Sequence, residues 1–355
     1  FDQYLAMSFA QLTHRESLRD IEACLQAQSS KLYHMGLRSS ISRSTLADAN
    51  EQRDWRIYAD FAQALIKIAR PLYAGDELGL NLKNTVYALD ASTIDLCFSV
   101  FPWALFRSTK SAVKLHTLLD LRGNIPSFIH ISEGKLHDVN ALDMIIPEAG
   151  SFYVMDRAYL DFERLFSLNN SGAFFVIRSK NNILFKRRYS SPVEKTNGIR
   201  CDQTIRLTGL NTKNKYPKPL RRVKYHDNET NKTLNLLTNN EVIPAQTVAD
   251  LYRYRWKVEL FFKWIKQHLH IRTFFGTSEN ALKSQIWIAI SVYVLIAIIK
   301  KQLKIKAELY TILQVLSLTL FEKIPLEQLL GNSHYMEHTR ENAIQLNLFD
   351  NLTGH

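Results

Sequence analysis

Five short runs of β-branched, aromatic and aliphatic residues constrain the fold of this chain more than any other feature. They cover residues 86–89, 114–119, 125–131, 152–155 and 174–177. The second and third runs are separated by Asp120-Leu121-Arg122-Gly123-Asn124, which predicts a hairpin. Helical patterns follow later runs, at 139–146 with Asp138 as N-cap and at 162–168. Hairpin strands followed by strands that alternate with helices predict a mixed α/β sheet.

Helices are predicted before this region. Residues 1–76 form an N-terminal helical module, in which Ser17 caps one helix and another runs from about residue 54 until Pro71 ends it. The module could bind DNA or simply cap the next domain, and these residues leave both alternatives open. The chain begins at Phe1 with the pattern of the middle of a helix, so we expect preceding sequence to be missing.

Helices are also predicted after the sheet region. One runs from residue 247 to about 270, and others reach about residue 330, so that residues 77–330 form the main domain. The apolar run at 286–299 is shorter than the roughly 20 residues of a membrane span, which favours a buried core helix. No signal peptide is visible. Residues 331–355 are predicted to be a polar tail.

The charge of the chain is concentrated in one segment. The chain carries 45 Lys and Arg against 34 Asp and Glu, a net charge of +11. Residues 179–232 alone contain 14 Lys and Arg and four Asp and Glu, a net of +10. This segment also has alternating β-type runs, so we predict a basic, β-rich insertion at about 179–240 that contacts phosphates.

The cysteine spacing and the absence of several sequence motifs argue against other classes of protein. Three distant cysteines exclude a disulfide framework and a CxxC zinc site, and they suit the cytoplasm. The chain lacks the GxxxxGK[ST], GxGxxG, HExxH and GxSxG motifs. Nucleotide hydrolysis, dinucleotide binding, zinc proteolysis and α/β-hydrolase chemistry are therefore disfavoured.

Three acids are the candidates for catalysis. Asp90 and Asp156 each follow a predicted buried strand, where α/β sheets place their sites. Glu259 lies on the helix after Pro244, and helical spacing puts it on one face with four other residues. These are Tyr252, Arg255, Lys263 and Lys266. Each Asp alone could be a turn or cap residue, and the helix could carry only i,i+4 ion pairs. Together, the three carboxylates can bind two divalent metal ions for phosphoryl displacement, since Mg²⁺ prefers oxygen ligands.

The spacing Tyr252-x2-Arg255-x3-Glu259-x6-Lys266 resembles the Y-R-E-K signature of the insertion sequence four family of DDE transposases. Asp90-Ala-Ser-Thr and Asp156-Arg-Ala-Tyr159 are similar to the first and second acidic motifs of that family. The stretches 114–126 and 273–280 also resemble its members. The resemblance covers most of the chain, from the helical start to about residue 331.

This resemblance implies a ribonuclease-H-like core with a β-rich insertion between the second and third acids. It implies Mg²⁺-dependent cutting of double-stranded DNA at transposon ends, with Mn²⁺ as a substitute, and joining of the 3′-hydroxyl to target DNA. Asp90, Asp156 and Glu259 would then be the catalytic metal ligands. Residues near the DNA phosphates would be Tyr252, Arg255 and Lys266, with Lys263 beside them and Tyr159 in the second motif.

Further expectations concern partners, location and alternative functions. Pairing of two DNA ends implies self-association, and the protein would act in the bacterial cytoplasm at the nucleoid rather than on a membrane. Gln345-Leu346-Asn347-Leu348-Phe349 resembles the peptide that docks on the bacterial sliding clamp, although a tail packed on its own domain explains these residues equally well. The alternatives to a transposase are a catalytically silent DNA-binding repressor and a ribonuclease-H-like nuclease.

Overall fold

A computed structural model describes residues 1–194, 197–269, 271 and 273–331. The chain starts with four α-helices: α1 (Asp2–Leu12), α2 (Leu18–Ala27), α3 (Arg43–Gln52) and α4 (Arg56–Tyr73). Ser17 accepts a hydrogen bond from the Asp20 N–H at the start of α2, which confirms its predicted role as a cap. Pro71 does not end α4. It lies within the last turn of the helix, because the burial of α4 on the core outweighs the one missing hydrogen bond.

Ten strands follow in a single mixed sheet, which confirms the predicted fold class. Their bounds are β1 (Val86–Leu96), β2 (Leu105–Arg107), β3 (Lys110–Asp120), β4 (Ile125–Glu133), β5 (Phe152–Met155), β6 (Phe174–Arg178), β7 (Phe185–Ser191), β8 (Ile199–Leu207), β9 (Leu220–Asp227) and β10 (Lys232–Thr238). The later helices are α5 (Phe162–Asn170), α6 (Leu210–Lys215), α7 (Ala245–Tyr254), α8 (Trp256–His268), α9 (Glu279–Gln302), α10 (Leu309–Thr319) and α11 (Leu326–Gly331).

The strand order identifies the core of the sheet as ribonuclease-H-like. β4, β3 and β1 pair antiparallel, as the hairpin pattern predicted, and β5 and β6 then add parallel to β1. Three antiparallel strands followed by two parallel ones form the ribonuclease-H-like arrangement. The insertion continues the same sheet, because β10 pairs with β6 and is followed by β9, β8 and the edge strand β7.

Two hydrophobic cores cover the two faces of the sheet. Alternate residues of β1 and β5 face opposite sides, as expected of strands. One core contains Val86 and Ala88 and includes residues of α1, α4, α8 and α9. The other contains Tyr87 and Leu89 and includes residues of α5. The N-terminal helices therefore share one core with the sheet and with α8 and α9.

The helix α9 contains the apolar run at 286–299. By length and composition alone it could cross a membrane, but 83% of its most apolar window is buried inside the protein. It packs against α4 and α1. The prediction of a buried core helix is therefore confirmed.

Two predicted helices differ from the structure. The segment after Asp138 is a 3-10 helix (Asp138–Met144), with His137 at its N-cap position. The helix expected at 247–270 consists of two helices, because α7 ends at Tyr254 and α8 begins at Trp256. Its expected last residue, His270, lies outside the described residues.

Candidate active site

Asp90 and Asp156 lie on neighbouring parallel strands. β1 pairs with β5 from Val86 to Leu89, so Asp90 is the first residue beyond that pairing, and Asp156 directly follows the end of β5. The prediction that Asp90 ends its strand is wrong. In the structure β1 continues to Leu96, because it stays paired with β3. The alternation of side chains places both acids on the face that carries the larger core and α8.

Glu259 reaches the same place from the first turn of α8. Val258, Phe262 and Ile265 are buried in the larger core, and α8 packs on β1. This packing fixes the rotation of the helix, so that Glu259 lies close to Asp90, as Asp156 does. The apolar stripe predicted along this helix is therefore what positions the third acid.

Arg255 joins two of the three acids. It occupies the break between α7 and α8, and its two terminal nitrogens donate to Asp90 Oδ2 and to Glu259 Oε1, both at 2.6 Å. Its side chain is 15% exposed, so this bridge is largely inside the protein. The residue expected to contact a DNA phosphate therefore neutralises two carboxylates here.

Crowded charge changes the acidity of this site. Burial raises the pKa of Asp90 to about 6, although Arg255 and the Ala91 N–H act to lower it, and the nearby charges of Glu259 and Asp156 add to the rise. Burial alone would lower the pKa of Arg255, but Asp90, Tyr252 and Glu259 outweigh that effect and raise it. The three acids thus lie close enough to interact, and the guanidinium partly compensates their repulsion.

One tyrosine holds the second aspartate, and another lies buried near the acids. The Tyr252 hydroxyl donates to Asp156 Oδ1 at 2.9 Å, and burial followed by the charge of Asp156 raises the pKa of Tyr252 to about 12. Tyr159 is buried beside the acids, and burial and then the charge of Asp90 raise its pKa. Both phenols therefore stay neutral, and both lie inside the protein rather than at its surface.

An open cavity of about 460 Å³ lies over Asp90 and Glu259. Its wall includes Lys263 and Lys266, and Lys266 Nζ donates to the carbonyl oxygen of Thr93 on β1 at 2.7 Å. Other lining residues were missed by the sequence reasoning: Ala91, Ser92, Phe262 and Gln267. They follow Asp90 or flank the cations on α8, so their spacing could have indicated them. A polyanion could approach the acids through this opening.

No group of three or more His, Cys, Asp or Glu side chains in the described part of the chain is arranged to hold a metal ion. The reason is visible at the site. Arg255 lies between Asp90 and Glu259, while Asp156 is bound by Tyr252. The structure thus brings the predicted residues to one end of the sheet with a side-chain cation between two of the acids. The predicted clamp peptide, Gln345 to Phe349, lies outside the described residues.

Two family models match the sequence. Residues 81–295 match the transposase DDE domain, and residues 1–38 match a domain of unknown function. A solved structure, the cryo-EM structure of the piggyBac transposase synaptic complex with hairpin DNA, aligns with 97% of this chain and 83% of its own at 13% identity. Its TM-score of 0.42 is too low to carry an argument, so the fold assignment rests on the strand order above.

Three relatives are named as transposases. The y4zB protein of Sinorhizobium fredii is 31% identical over 78% of this chain and 77% of its own length. The protein named for insertion sequence element IS5377 of Geobacillus stearothermophilus is 31% identical over 63% and 59%. The one named for IS4SA of Synechocystis is 25% identical over 73% and 72%. Since the domain match also spans more than half of the chain, this protein belongs to the DDE transposase family.

Proposed function

We propose that this protein is a transposase of the insertion sequence four family that cuts DNA at the terminal inverted repeats of its element. It then joins the freed 3′-hydroxyl ends to target DNA. The observation that carries this proposal is the meeting of Asp90, Glu259 and Arg255, with Asp156 beside them, at one end of the sheet. Two of these acids, Asp90 and Glu259, lie beneath an open, lysine-lined cavity although they are distant in sequence.

DDE transposase domains generally use divalent metal ions, and the donor set here fits such ions. The residues that would hold them are Asp90, Asp156 and Glu259, whose carboxylate oxygens suit Mg²⁺ and also Mn²⁺. The guanidinium of Arg255 between two of these acids supports the fit, because the site already accommodates positive charge. When bound, two such ions supply activation of the attacking oxygen and stabilisation of the leaving oxygen.

The protein's own residues have separate tasks in this proposal. Tyr252 would position Asp156 through its hydrogen bond, and the buried Tyr159 would exclude water near Asp90. Lys263 and Lys266 line the cavity and would contact phosphates next to the cut. Arg255 would turn from the carboxylates to a phosphate once another cation neutralises the acids.

The insertion supplies a second basic surface. Among the residues of the insertion that the structure describes, ten cations are exposed: Lys180, Lys186, Arg187, Arg188, Arg200, Arg206, Lys213, Lys215, Lys218 and Lys232. Three of them lie on β7, the edge strand, together with exposed Phe185 and Tyr189. Cations interleaved with aromatic rings are typical of nucleic-acid surfaces. We propose that β7 contacts the DNA that flanks the cut.

The helical module at 1–76 would contribute to DNA-end binding, and two copies would pair the two ends in the bacterial cytoplasm. Clamp binding by residues 345–349 stays a prediction. A pull-down with sliding clamp that is unchanged when Leu348 and Phe349 are replaced by Ala would refute it.

The test is a cleavage assay on linear DNA that carries the element's own ends, with Mg²⁺ or Mn²⁺. Asp156→Asn should abolish cutting and leave DNA binding intact. The matched control is Asp95→Asn, which changes an exposed acid on the strand that carries Asp90 and should leave cutting unchanged. Unchanged cutting by Asp156→Asn would remove the assignment of the site. Nicking without strand joining would indicate a nuclease, and binding without cutting a repressor.

A further inference from the structure

The outer face of α4 carries an apolar stripe that stays largely exposed in the described structure, with the Tyr4 ring packed edge-on against Phe61 at 5.1 Å between ring centroids. Ile57, Phe61 and Ile68 are 58%, 40% and 51% exposed, and Ala64 and Pro71 on the same face are exposed as well. Isolated exposed apolar residues are ordinary, but a continuous row along a helix usually marks an interaction site.

The stripe is not needed to hold α4 in place. The opposite face buries Tyr58, Ala62, Leu65, Ile66, Ala69 and Tyr73, and the helix packs against α9. The exposed residues follow one another at spacings of four, three, four and three. This is the spacing that pairs two helices along a seam, so α4 has one face for its own core and another for a second helix.

Two charges beside the stripe specify the arrangement of that second helix. Asp60 and Lys67 are both exposed, and within the described residues neither forms an ion pair. They are seven residues apart, which separates them by about 10 Å along the helix but places them within about 20° of each other around it. They therefore cannot pair with each other, and both lie on the same flank of the stripe.

An antiparallel pair with a second copy of the chain satisfies both charges. With a two-fold axis between residues 63 and 64, Asp60 faces Lys67 of the partner subunit, and Lys67 faces Asp60 of the partner subunit. Ala64 lies at the crossing point, where its small side chain lets the helices approach closely, while Phe61 and Ile68 pack on either side. In a parallel pair the two copies of this flank would lie on opposite sides of the seam, so neither charge would meet the opposite charge of the partner subunit.

We propose that the outer face of α4 is a self-association surface, on which two copies of this chain pair their α4 helices antiparallel. Pairing two DNA ends needs two copies of the protein, so this contact would serve the proposed function. The purpose of the contact therefore rests on that function. The contact itself needs neither DNA nor a metal ion. One helix pair buries a small area, so we expect a dissociation constant on the order of 10 µM.

The test measures the oligomeric state of the full chain without DNA by sedimentation velocity over a range of concentrations. Ile57→Ser and Ile68→Ser should each weaken dimerisation about tenfold, because the stripe supplies the apolar contact. Both residues are exposed, so the melting temperature should stay unchanged. A chain that stays monomeric at 100 µM, or dimers that tolerate both changes, would overturn the proposal.

A charge exchange tests the geometry. Asp60→Lys alone and Lys67→Asp alone should each weaken dimerisation about tenfold, and the double variant should restore it, because the antiparallel pair then regains two attractive contacts. Asp48→Lys and Lys306→Glu are matched reversals on exposed residues elsewhere and should have no effect. Absence of rescue in the double variant would overturn the antiparallel arrangement.

Two outcomes separate this proposal from its alternatives. If the full chain is monomeric and dimerises only after removal of residues 332–355, the tail covers α4 in the native chain and the proposal is overturned. If dimers form as described while DNA with the element's ends is not cut, the proposed function fails and the surface stands.

Discussion

Arg255 donates a hydrogen bond of 2.6 Å to Asp90, which lies 165 residues earlier in the chain. The same guanidinium reaches Glu259 one helical turn later. This contact ties the break between α7 and α8 to the central strand of the sheet. It also means that the acids are neutralised from within the protein.

Arg255→Ala should therefore make the protein depend on divalent ions for stability. Without the guanidinium, Asp90 and Glu259 are left facing each other, and we expect the free energy of unfolding to fall by about 2 kcal/mol. Mg²⁺ should raise the melting temperature of this variant more than that of the wild type, because it no longer competes with Arg255. Arg253→Ala is the control, since the ion pair that Arg253 forms among the described residues is with the exposed Glu229. Equal Mg²⁺ shifts in both variants would contradict the metal-site assignment.

The insertion should depend on a single buried ion pair. Arg221 and Asp202 form two hydrogen bonds of 2.8 and 2.7 Å on adjacent strands, and both side chains are about nine-tenths buried. Arg221→Ala leaves a buried carboxylate unpaired and should cost about 3–5 kcal/mol in chemical denaturation. The double variant Arg221→Met with Asp202→Leu should recover much of that stability. Arg221 also donates to the carbonyl oxygens of Asn240 and Ile243, and a double variant as unstable as the single one would show that these bonds, rather than the ion pair, matter most.

DNA affinity should fall steeply with salt, and β7 should account for part of that dependence. Replacing Lys186, Arg187 and Arg188 by Gln should reduce the slope of log affinity against log salt by about 0.9 for each phosphate that these cations neutralise in the wild type. Binding titrations at several salt concentrations measure this slope. Lys304→Gln with Lys306→Gln, outside the insertion, should leave it unchanged. A flat salt dependence of the wild type would remove the phosphate-contacting role of the insertion.

Acid should destabilise the protein partly through His116. Its side chain is fully buried, and burial lowers its pKa from 6.5 to about 4, even though Asp138 acts in the opposite direction. Between these values the unfolded chain binds a proton that the folded protein does not, so stability falls as the pH falls. Relative to His116→Asn, the wild type should lose about 3 kcal/mol between pH 7 and pH 4. The exposed His137 serves as control, because His137→Asn should leave the pH profile unchanged.

Local patterns predicted much of the fold. The cap at Ser17, the β3–β4 hairpin and the bounds of β5 depend on neighbouring residues, and each was visible in the sequence. The turn of that hairpin contains Gly123 with a φ of 72°, a conformation that glycine adopts without strain. The basic, β-rich insertion was predicted from its charge together with its alternating β-type runs.

Contacts between distant residues could not be predicted in this way. β1 continues past Asp90 because β3 offers it a partner over ten residue pairs, and no local pattern shows such pairing. Helical spacing correctly gathered Arg255 and Glu259 on one face, but no local pattern showed the break at Arg255 or its contact with Asp90. The inward position of Tyr159 likewise follows from packing under the sheet rather than from its motif.

The continuity of the ten-stranded sheet fixes the distance between the candidate active site and the basic edge strand β7. The insertion is hydrogen-bonded to the catalytic strands through β10 and β6, so it cannot swing independently as a hinged domain would. Five strand intervals separate β5, which leads to Asp156, from the cationic edge at β7, and at about 4.8 Å each they span about 24 Å. At roughly 3.4 Å per base pair, a duplex laid across the sheet would meet this edge about seven base pairs from the scissile bond. The sheet would thus act as a molecular ruler, and shortening it by one hairpin would move the edge two strand intervals, or about three base pairs, closer to the cut.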